Sequence, residues 1–468
     1  MKNQIRNIQQ IMRKDEGIDG DAQRISQLSW LLFLKIFDQQ EKELEIVDAN
    51  YKNIIKSEFQ WRSWAENPEG ITGERLIQFV ENELFAYLRS LNIHNDQDVS
   101  KIIRFTFTDN YNFIKSGTIL RQVINEINTI DFDSQSERHQ FGDIYEGFLE
   151  DLQSAGNAGE YYTPRAVTKF IVETISPQLN EKIIDPATGT GGFLRCTTDY
   201  LRENNNFSLK DEIGLKNNLF GIEKKPIPYV LCMTNMLLHM VRDPINIIRD
   251  NSLNWDQRDV SESKKFDVVI TNPPFGGMEE DGTELNFPER YRTKETASLF
   301  LYFIMNYLKD GGRCGLVLPD GFMSGMKKKK TLKEKLFLEN NVHTIIRLPK
   351  FVFYPYTDIS TNIIFFEKGK PTKETWFYFQ PYPEGYKYTK KQHIKFEEFK
   401  KTSFWMKNQT ENKFATKLSI EEIIKREFDI DIKNPNAEEE VLPTFEEVIK
   451  DATEISNKIN KLLKALND

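Results

Sequence analysis

The chain has 468 residues, of which 39% are hydrophobic and 29% charged, with 24 glycines and 18 prolines. This composition is typical of a globular protein of about three domains, and it excludes collagen-like, low-complexity and wholly disordered chains. The 63 basic and 71 acidic residues give a formal net charge of -8, so the overall charge does not favour autonomous nucleic-acid binding.

Cysteine, histidine and hydropathy patterns narrow the class of protein further. The three cysteines lie far apart, which predicts reduced, packed thiols rather than a disulfide framework. The five histidines never fall at metal-ligand spacing, so we expect no metal site. The N-terminus lacks the apolar core of a signal peptide, and the longest apolar stretch, residues 28–37, is too short to cross a membrane and contains Lys35. We therefore expect a cytoplasmic protein that does not span a membrane.

Residues 1–155 show the apolar spacing of helices. Apolar side chains recur every three or four positions in LSWLLFLKIFDQQEKEL, ERLIQFVENELFAYLRSL and FGDIYEGFLEDLQ, and strand-like alternation is nearly absent. The short stretch SAGNAGE follows and marks a boundary. The pattern predicts an N-terminal helical domain.

Residues 156–370 instead alternate short apolar runs with helical patterns, which predicts an α/β fold with a Rossmann-like, doubly wound, mostly parallel sheet. The last two runs are joined by residues 350–361 without a convincing helix, so we expect an antiparallel pair at one edge of the sheet. Ligands of such sheets bind beyond the carboxyl ends of the strands. The predicted strands are EKIIDP, LFGIE, INIIRD, FDVVITN, GRCGLVLP, VHTIIRLP and NIIFFEKG.

Residues 371–468 form the third predicted unit, a C-terminal aromatic and basic segment with a helical extension. Residues 368–417 hold twelve lysines and five glutamates, a net charge of +7, among many aromatic side chains. Two interpretations stay open: a nucleic-acid surface, or an excursion whose rings pack while its lysines are solvated. Residues 426–468 have six basic and eleven acidic residues and end in an amphipathic pattern that fits a docking helix.

The first candidate site is IIDPATGTGGFL, residues 183–194, at the end of the first predicted strand. Its glycines permit a tight turn and a close approach of the backbone to a ligand. The P-loop ending Gly-Lys-Ser/Thr is absent, and Asp185 would repel an anion, so a neutral or cationic ligand fits better than a phosphate. A purely structural turn is the alternative.

The second candidate is Glu223, which closes the next predicted strand in LFGIEKK. A carboxylate at this place in a doubly wound sheet accepts both hydroxyls of a ribose. Its distance along the chain from Asp185 is longer than usual, which a polar surface insertion between them explains. An ordinary solvated carboxylate is the alternative.

The third and most specific candidate is VVITNPPFGG, residues 268–277. Two prolines fix the backbone and remove two N–H donors, which leaves a rigid set of acceptors after a buried strand. A planar amine can donate to the Asn272 side-chain oxygen and the Pro273 carbonyl, while Phe275 stacks on its ring. The alternative is a proline-rich loop with a buried phenylalanine.

In this order, DPATGTGGFL, GIE and NPPF resemble the motifs of the S-adenosylmethionine-dependent DNA adenine N6-methyltransferases of the gamma class. Three further segments resemble the modification subunit of type I restriction-modification systems. They are GDIYEGFLEDLQSAGNAGEYYTPRAV (142–167), GGRCGLVLPDGFM (311–323) and FYPYTDISTNIIFF (353–366). The likeness extends from the helical domain to about residue 370.

The resemblance implies S-adenosylmethionine as the cofactor and assigns site residues. The catalytic loop is Asn272, Pro273, Pro274 and Phe275. The wall around the methionine end of the cofactor is Glu160, Tyr161, Tyr162, Thr163, Pro164 and Arg165. The Gly-rich turn is Asp185, Thr188, Gly189, Thr190, Gly191 and Gly192, and the ribose ligand is Glu223.

One departure concerns the adenine of the cofactor. Family members commonly have an aspartate directly before Ser-Leu, where this chain has Asp250 followed by Asn251. Either Asp250 shifts into place or Asn251 substitutes as the acceptor, and the sequence does not decide between them.

The implied reaction is direct displacement, in which the N6 atom of a flipped adenine attacks the sulfonium methyl group. Alternatives are a methyltransferase for another planar amine or amide, such as an RNA base or a protein glutamine, and a non-catalytic assembly subunit. The intact motifs argue against the last. The resemblance also implies duplex DNA as substrate, one specificity subunit gripped by two copies of this chain, and a restriction or translocase subunit as a further partner.

Overall fold

In the computed structural model, which describes most of the chain, an N-terminal set of helices packs on a nine-stranded mixed sheet. The main described ranges are 2–95, 98–132, 162–205, 207–239, 243–324, 327–354, 356–385 and 392–436. Residues 142, 145, 241, 387–389, 449–450, 453, 456–457 and 459 are also described.

The described part of residues 2–132 is helical, as the apolar spacing predicts. The long helix α2 is buried on all sides from Arg24 to Leu34, including Trp30 and Phe33, because this stretch is apolar around most of its circumference. A π-helical turn, Phe79–Leu84, lies between two short α-helices. The helices are α1 (Lys2–Met12), α2 (Asp21–Val47), α3 (Trp61–Trp64), α4 (Gly73–Gln78), α5 (Phe85–Arg89), α6 (Ser100–Thr108) and α7 (Gly117–Asn128).

The sheet has the order β3-β2-β1-β4-β5-β7-β6-β8-β9. Strands β1 to β5 are parallel, β7 is antiparallel to both β5 and β6, and β9 is antiparallel to β8. The strands are β1 (Ile183–Asp185), β2 (Leu219–Glu223), β3 (Ile247–Arg249), β4 (Phe266–Thr271), β5 (Leu308–Pro319), β6 (Asn340–Arg347), β7 (Thr361–Lys368), β8 (Glu374–Phe379) and β9 (Ala415–Ser419).

Helices cover both faces of this sheet, so its strands are apolar on both sides. Along β4, Val268 and Ile270 face one hydrophobic core and Val269 faces the other. The first of these cores also contains α1 and α2. The helices after residue 162 are α8 (Arg165–Ile175), α9 (Gly192–Glu203), α10 (Leu209–Asn218), α11 (Pro226–Leu238), α12 (Thr296–Tyr307), α13 (Asp320–Met323), α14 (Lys327–Glu339), α15 (Lys400–Lys407) and α16 (Ile420–Lys425).

The antiparallel pair β6–β7 forms as expected, but its expected place at the edge of the sheet is wrong. β8 pairs in parallel with β6, and β9 then pairs with β8 and forms the outer edge. The sheet therefore continues past residue 370, where the sequence pattern placed a domain boundary. The aromatic side chains of β8 explain the extension, because Phe377 and Tyr378 need burial that an isolated segment cannot supply.

The aromatic residues after 370 pack on each other. The ring of Trp405 in α15 lies 4.8 Å from that of Tyr378 and 5.9 Å from that of Trp376, while many lysines of this segment are exposed. Most of the predicted C-terminal docking helix lies outside the described residues.

No helix among the described residues is long and apolar enough to cross a membrane. The same residues contain no group of three histidine, cysteine, aspartate or glutamate side chains able to hold a metal ion. All three cysteines are buried free thiols, which fits the packing role that their spacing predicts.

Candidate active site

A cavity of about 240 Å³ lies over the carboxyl ends of β1 to β4. Here the strand order reverses between β1 and β4, which is the usual ligand site of an open parallel sheet. The structure thus brings together predicted residues from five separate segments. Those that line the cavity are Thr163, Asp185, Thr188, Gly189, Thr190, Gly192, Glu223, Asp250, Asn251, Asn272 and Pro274.

The Gly-rich turn follows β1 and leads into α9. Gly189 and Gly191 have φ values of +56° and +82°, a region that favours glycine. A Cβ atom on Gly191 would lie 2.8 Å from the Cys232 sulfur of α11, so the turn also needs the missing side chain for close packing.

Gly191→Ala should lower the free energy of unfolding by about 2–4 kcal/mol, because left-handed backbone strain and overpacking both act at this position. Gly214→Ala is the matched control, because a Cβ atom at this position on helix α10 would meet open space. This substitution should stabilise the protein by about 0.5–1 kcal/mol. Urea denaturation of both variants measures the difference. Equal stability of the two would contradict the assigned turn geometry.

Asp185 is almost fully buried at the base of the cavity. Its Oδ1 atom accepts hydrogen bonds from the Thr271 hydroxyl at 2.7 Å and from the Ala187 N–H at 3.1 Å. Its Oδ2 atom is buried and accepts no hydrogen bond from any described residue. Burial raises the pKa of Asp185 to about 7. The site therefore presents a carboxylate oxygen that a cation or a hydrogen-bond donor would satisfy.

Glu223 binds the Gly-rich turn directly. Its Oε2 atom accepts from the Gly189 N–H at 2.8 Å, and its Oε1 atom accepts from the Lys225 N–H at 2.7 Å. Burial raises the pKa of Glu223 to about 7, and the neighbouring Asp185 carboxylate adds to this increase. Each oxygen retains a further acceptor position, which suits two adjacent hydroxyl groups.

Asp250 and Asn251 both line the cavity after β3, and both already form local bonds. The two carboxylate oxygens of Asp250 accept from the Asn251 N–H and the Trp255 indole N–H, each at 2.8 Å. The Asn251 side-chain oxygen accepts from the Leu253 N–H at 3.0 Å and caps a short 3-10 helix.

The Asn272 side chain lines the cavity, and one of its two polar atoms has no hydrogen-bond partner among the described residues. Its Nδ2 atom donates to the Thr163 hydroxyl at 2.9 Å, which fixes the orientation of the amide. The opposite atom, Oδ1, is buried and accepts no hydrogen bond from any described residue. An unsatisfied buried acceptor is costly, so a donor group from a ligand in the cavity would stabilise this atom.

Phe275 lies beyond the prolines, is half-buried, and is not among the residues that line the cavity. We call the side of the cavity next to Phe275 its mouth. Its ring centroid is 5.2 Å from that of Phe353 and 6.0 Å from that of Tyr356. Pro273 is buried and Pro274 is exposed. The segment after β6 thus supports the loop after β4.

Tyr162, Pro164 and Arg165 are not among the residues that line the cavity. Tyr162 and Pro164 are buried, and the Arg165 guanidinium donates to the Gly192 carbonyl at 2.7 Å, which ties α8 to the Gly-rich turn. Glu160 and Tyr161 lie outside the described residues.

Sequence reasoning missed an ion pair at the cavity. The Lys224 ammonium after β2 lies 3.2 Å from the Glu279 carboxylate and 3.3 Å from that of Glu280. The side chains of Lys224 and Glu279 both line the cavity. Only a contact between distant segments reveals the pair, because neither GIEKK nor GGMEE is distinctive alone.

Two known protein families match this chain. Residues 136–442 match the N-6 DNA Methylase family, and residues 1–127 match the HsdM N-terminal domain. The chain is 50% identical, over 99% of its length and 96% of the relative's, to the type I restriction enzyme EcoEI methylase subunit of Escherichia coli. The chain belongs to the type I restriction enzyme methylase subunits.

Solved structures agree with this membership. A modification subunit from Vibrio vulnificus, described as part of a type I restriction enzyme, is 38% identical with a TM-score of 0.83, over 93% of this chain and 98% of that one. A chain from a structure of type I R-M system assembly is 36% identical with a TM-score of 0.83, over 99% and 97%. The family and the Rossmann-like fold inferred from the motifs of this methylase subunit are thereby confirmed.

Proposed function

We propose that this methylase subunit transfers a methyl group from S-adenosylmethionine to the N6 atom of a flipped adenine in duplex DNA. The observation that carries the proposal is the presence of two buried, unsatisfied acceptors at one cavity, Asp185 Oδ2 and Asn272 Oδ1. The first suits a cationic cofactor and the second suits the amine that receives the methyl group.

The cofactor residues act through charge and hydrogen bonding. Glu223 accepts the two ribose hydroxyls on its free lone pairs, and Asp185 supplies negative charge near the Gly-rich turn, where a cationic ligand returns the buried carboxyl to its ionised form. Asp250 accepts the adenine amine, because its carboxylate has four acceptor positions of which two are used, whereas the Asn251 oxygen caps a helix.

When bound, S-adenosylmethionine supplies a methyl group already activated by its positive sulfur. Asn272 Oδ1 and the Pro273 carbonyl would accept hydrogen bonds from the two N–H groups of the target amine, which would direct its nitrogen lone pair toward the methyl group. The methylated nitrogen would then lose one proton to water, and S-adenosylhomocysteine would leave. Thr163 holds the Asn272 amide in that orientation. Phe275 stacks on the extruded base and holds it in line.

The subunit works within an assembly. Two copies grip one specificity subunit that selects the DNA sequence, a restriction or translocase subunit joins them, and the complex acts in the cytoplasm. The similarity to type I methylase subunits along nearly the whole chain supports this arrangement.

Labelled methyl transfer to unmethylated duplex DNA tests the proposal. We expect N6-methyladenine to form when the subunit is co-expressed with its specificity subunit. RNA and protein substrates are included in parallel, and methylation of either in place of DNA, or no methylation of any of them, would contradict the proposal.

The raised carboxyl pKa values predict a pH dependence of cofactor binding. Glu223, with a pKa of about 7, is mostly protonated at pH 6 and ionised at pH 8, so a ligand that needs the carboxylate should bind about tenfold more tightly at pH 8. Methylthioadenosine is the suitable probe, because it keeps the ribose and has no amine that titrates in this range. Calorimetry should show tighter binding as pH rises, and Glu223→Gln should flatten the profile.

A further inference from the structure

The carboxyl ends of β6 and β8 lie at the same edge of the sheet as the catalytic loop. β6 is antiparallel to β7, which is antiparallel to β5, so β6 runs parallel to β4 and β5. β8 pairs in parallel with β6. The chain that leaves β6 at Arg347 and the chain that leaves β8 at Phe379 therefore emerge at the same edge as Asn272, although β5 and β7 lie between β4 and β6.

These two segments are joined to each other and to the catalytic loop. The Tyr382 hydroxyl donates to the Lys350 carbonyl at 3.2 Å, and the Tyr382 ring lies 5.7 Å from that of Tyr388. The first segment continues to Phe353, whose ring packs on Phe275. The segment after β8 is thus linked, through Lys350 and Phe353, to the side of the cavity next to Phe275.

Three lysines on this surface are exposed and unneutralised. They are Lys350, Lys387 and Lys395, and none of their ammonium groups pairs with a carboxylate among the described residues. Lys387 lies over the Tyr382 ring at 6.0 Å, which places its charge on the same surface. The backbone N–H of Lys395 is bonded to Glu398, whose carbonyl accepts from Gln380 at the end of β8.

The opposite side of the mouth has the reverse charge. The loop after the catalytic motif carries Glu279, Glu280 and Asp281, with the last two side chains 83% and 87% exposed. Lys224 and Lys294 pair with these carboxylates, so the loop offers little free positive charge. A polyanion that crosses the mouth is attracted to one side and repelled from the other.

We propose that Lys350, Lys387 and Lys395 bind backbone phosphates of the target DNA strand next to the flipped adenine. The inference rests on the proposed function, and it specifies which surface of this subunit the substrate strand follows. The aromatic residues between the lysines pack together and hold the charges in place. The lysines then form the nucleic-acid surface of the first interpretation, and the aromatic rings form the packed segment of the second.

The test is the salt dependence of DNA binding by the assembled complex. Each phosphate contact contributes a slope of about 0.9 in log affinity against log salt, so the triple variant K350Q/K387Q/K395Q should lose about 2.7 from the slope. Between 50 and 200 mM salt, the wild-type affinity should therefore fall about 40-fold more than that of the variant. KM for DNA should rise, while kcat at saturating DNA and the cofactor Kd should be unchanged.

The matched control is K264Q/K373Q/K425Q, which removes three exposed lysines, none paired with a carboxylate among the described residues, at the opposite edge of the same sheet. The control should retain the wild-type slope. An unchanged slope in the first variant, or an equal loss in both, would overturn the inference while leaving methylation by the wild-type complex intact. Failure of the first variant to assemble with the specificity subunit would also overturn it, in favour of an acidic protein surface. Absence of methylation by the wild-type complex would instead contradict the proposed function.

Discussion

Asn272→Ala is expected to reduce kcat by about a thousandfold while the cofactor Kd changes little. In the proposed mechanism the side-chain oxygen is the acceptor that orients the amine, and removal of one such preorganised group typically costs 10²- to 10³-fold in rate, to which poorer alignment adds. The amide bonds to Thr163 and is proposed to contact the target amine rather than the cofactor, so binding of the cofactor should persist. Single-turnover methylation and calorimetry with S-adenosylmethionine measure the two effects.

Asn254→Ala is the control for this prediction, because Asn254 is an exposed asparagine after β3 that does not line the cavity. It should keep both wild-type activity and wild-type cofactor affinity. Equal loss of cofactor binding and of turnover in Asn272→Ala would mean that the loop is structural. Phe275→Ala gives a complementary result, since it should raise KM for DNA more than it lowers cofactor affinity.

Glu223→Gln is expected to weaken cofactor binding by about a hundredfold. The carboxylate accepts two backbone N–H bonds and has lone pairs left for two ribose hydroxyls, whereas an amide has one oxygen for these roles. Hydrogen bonds to a charged acceptor contribute about 1.5–3 kcal/mol, which corresponds to a loss of this size. Calorimetric titration with S-adenosylhomocysteine gives the Kd directly.

Glu289→Gln serves as the matched control, because Glu289 is an exposed glutamate outside the cavity. It should bind the cofactor as the wild type does. Circular dichroism should show that Glu223→Gln remains folded, since its oxygen can still accept from one of the two backbone donors. Unchanged affinity in a folded Glu223→Gln variant would remove Glu223 from the ribose site.

Three candidate site residues could be grouped from the sequence because each lies at the end of an apolar strand. Asp185, Glu223 and Asn272 directly follow or close β1, β2 and β4, and parallel strands bring such positions to one edge. The position of a motif relative to its strand was therefore enough to group the residues.

The outer strands of the sheet and the pairing of charged side chains were harder to predict from the sequence. The pattern predicted that the sheet stops near residue 370, whereas β8 and β9 extend it, because aromatic residues there find cross-strand neighbours far away in sequence. Residues 327–330 are four consecutive lysines, a pattern that by itself predicts a positive surface. In the structure Lys329 pairs with Glu295 at 2.7 Å and Lys330 with Glu427 at 3.0 Å, so part of that charge is neutralised.

Local residue types at short spacing were enough to identify the family, the alternation of strands and helices, and the candidate residues of the Gly-rich turn and of the loop after β4. Which buried atoms lack a partner depends instead on contacts between segments that are distant in the chain. Asn272 and Thr163 are 109 positions apart, and their hydrogen bond fixes the amide so that its Oδ1 atom accepts no hydrogen bond from any described residue. The net charge of -8 is an average over surfaces of both signs. Folding places these surfaces apart, so the charge on each side of the mouth does not follow from the total.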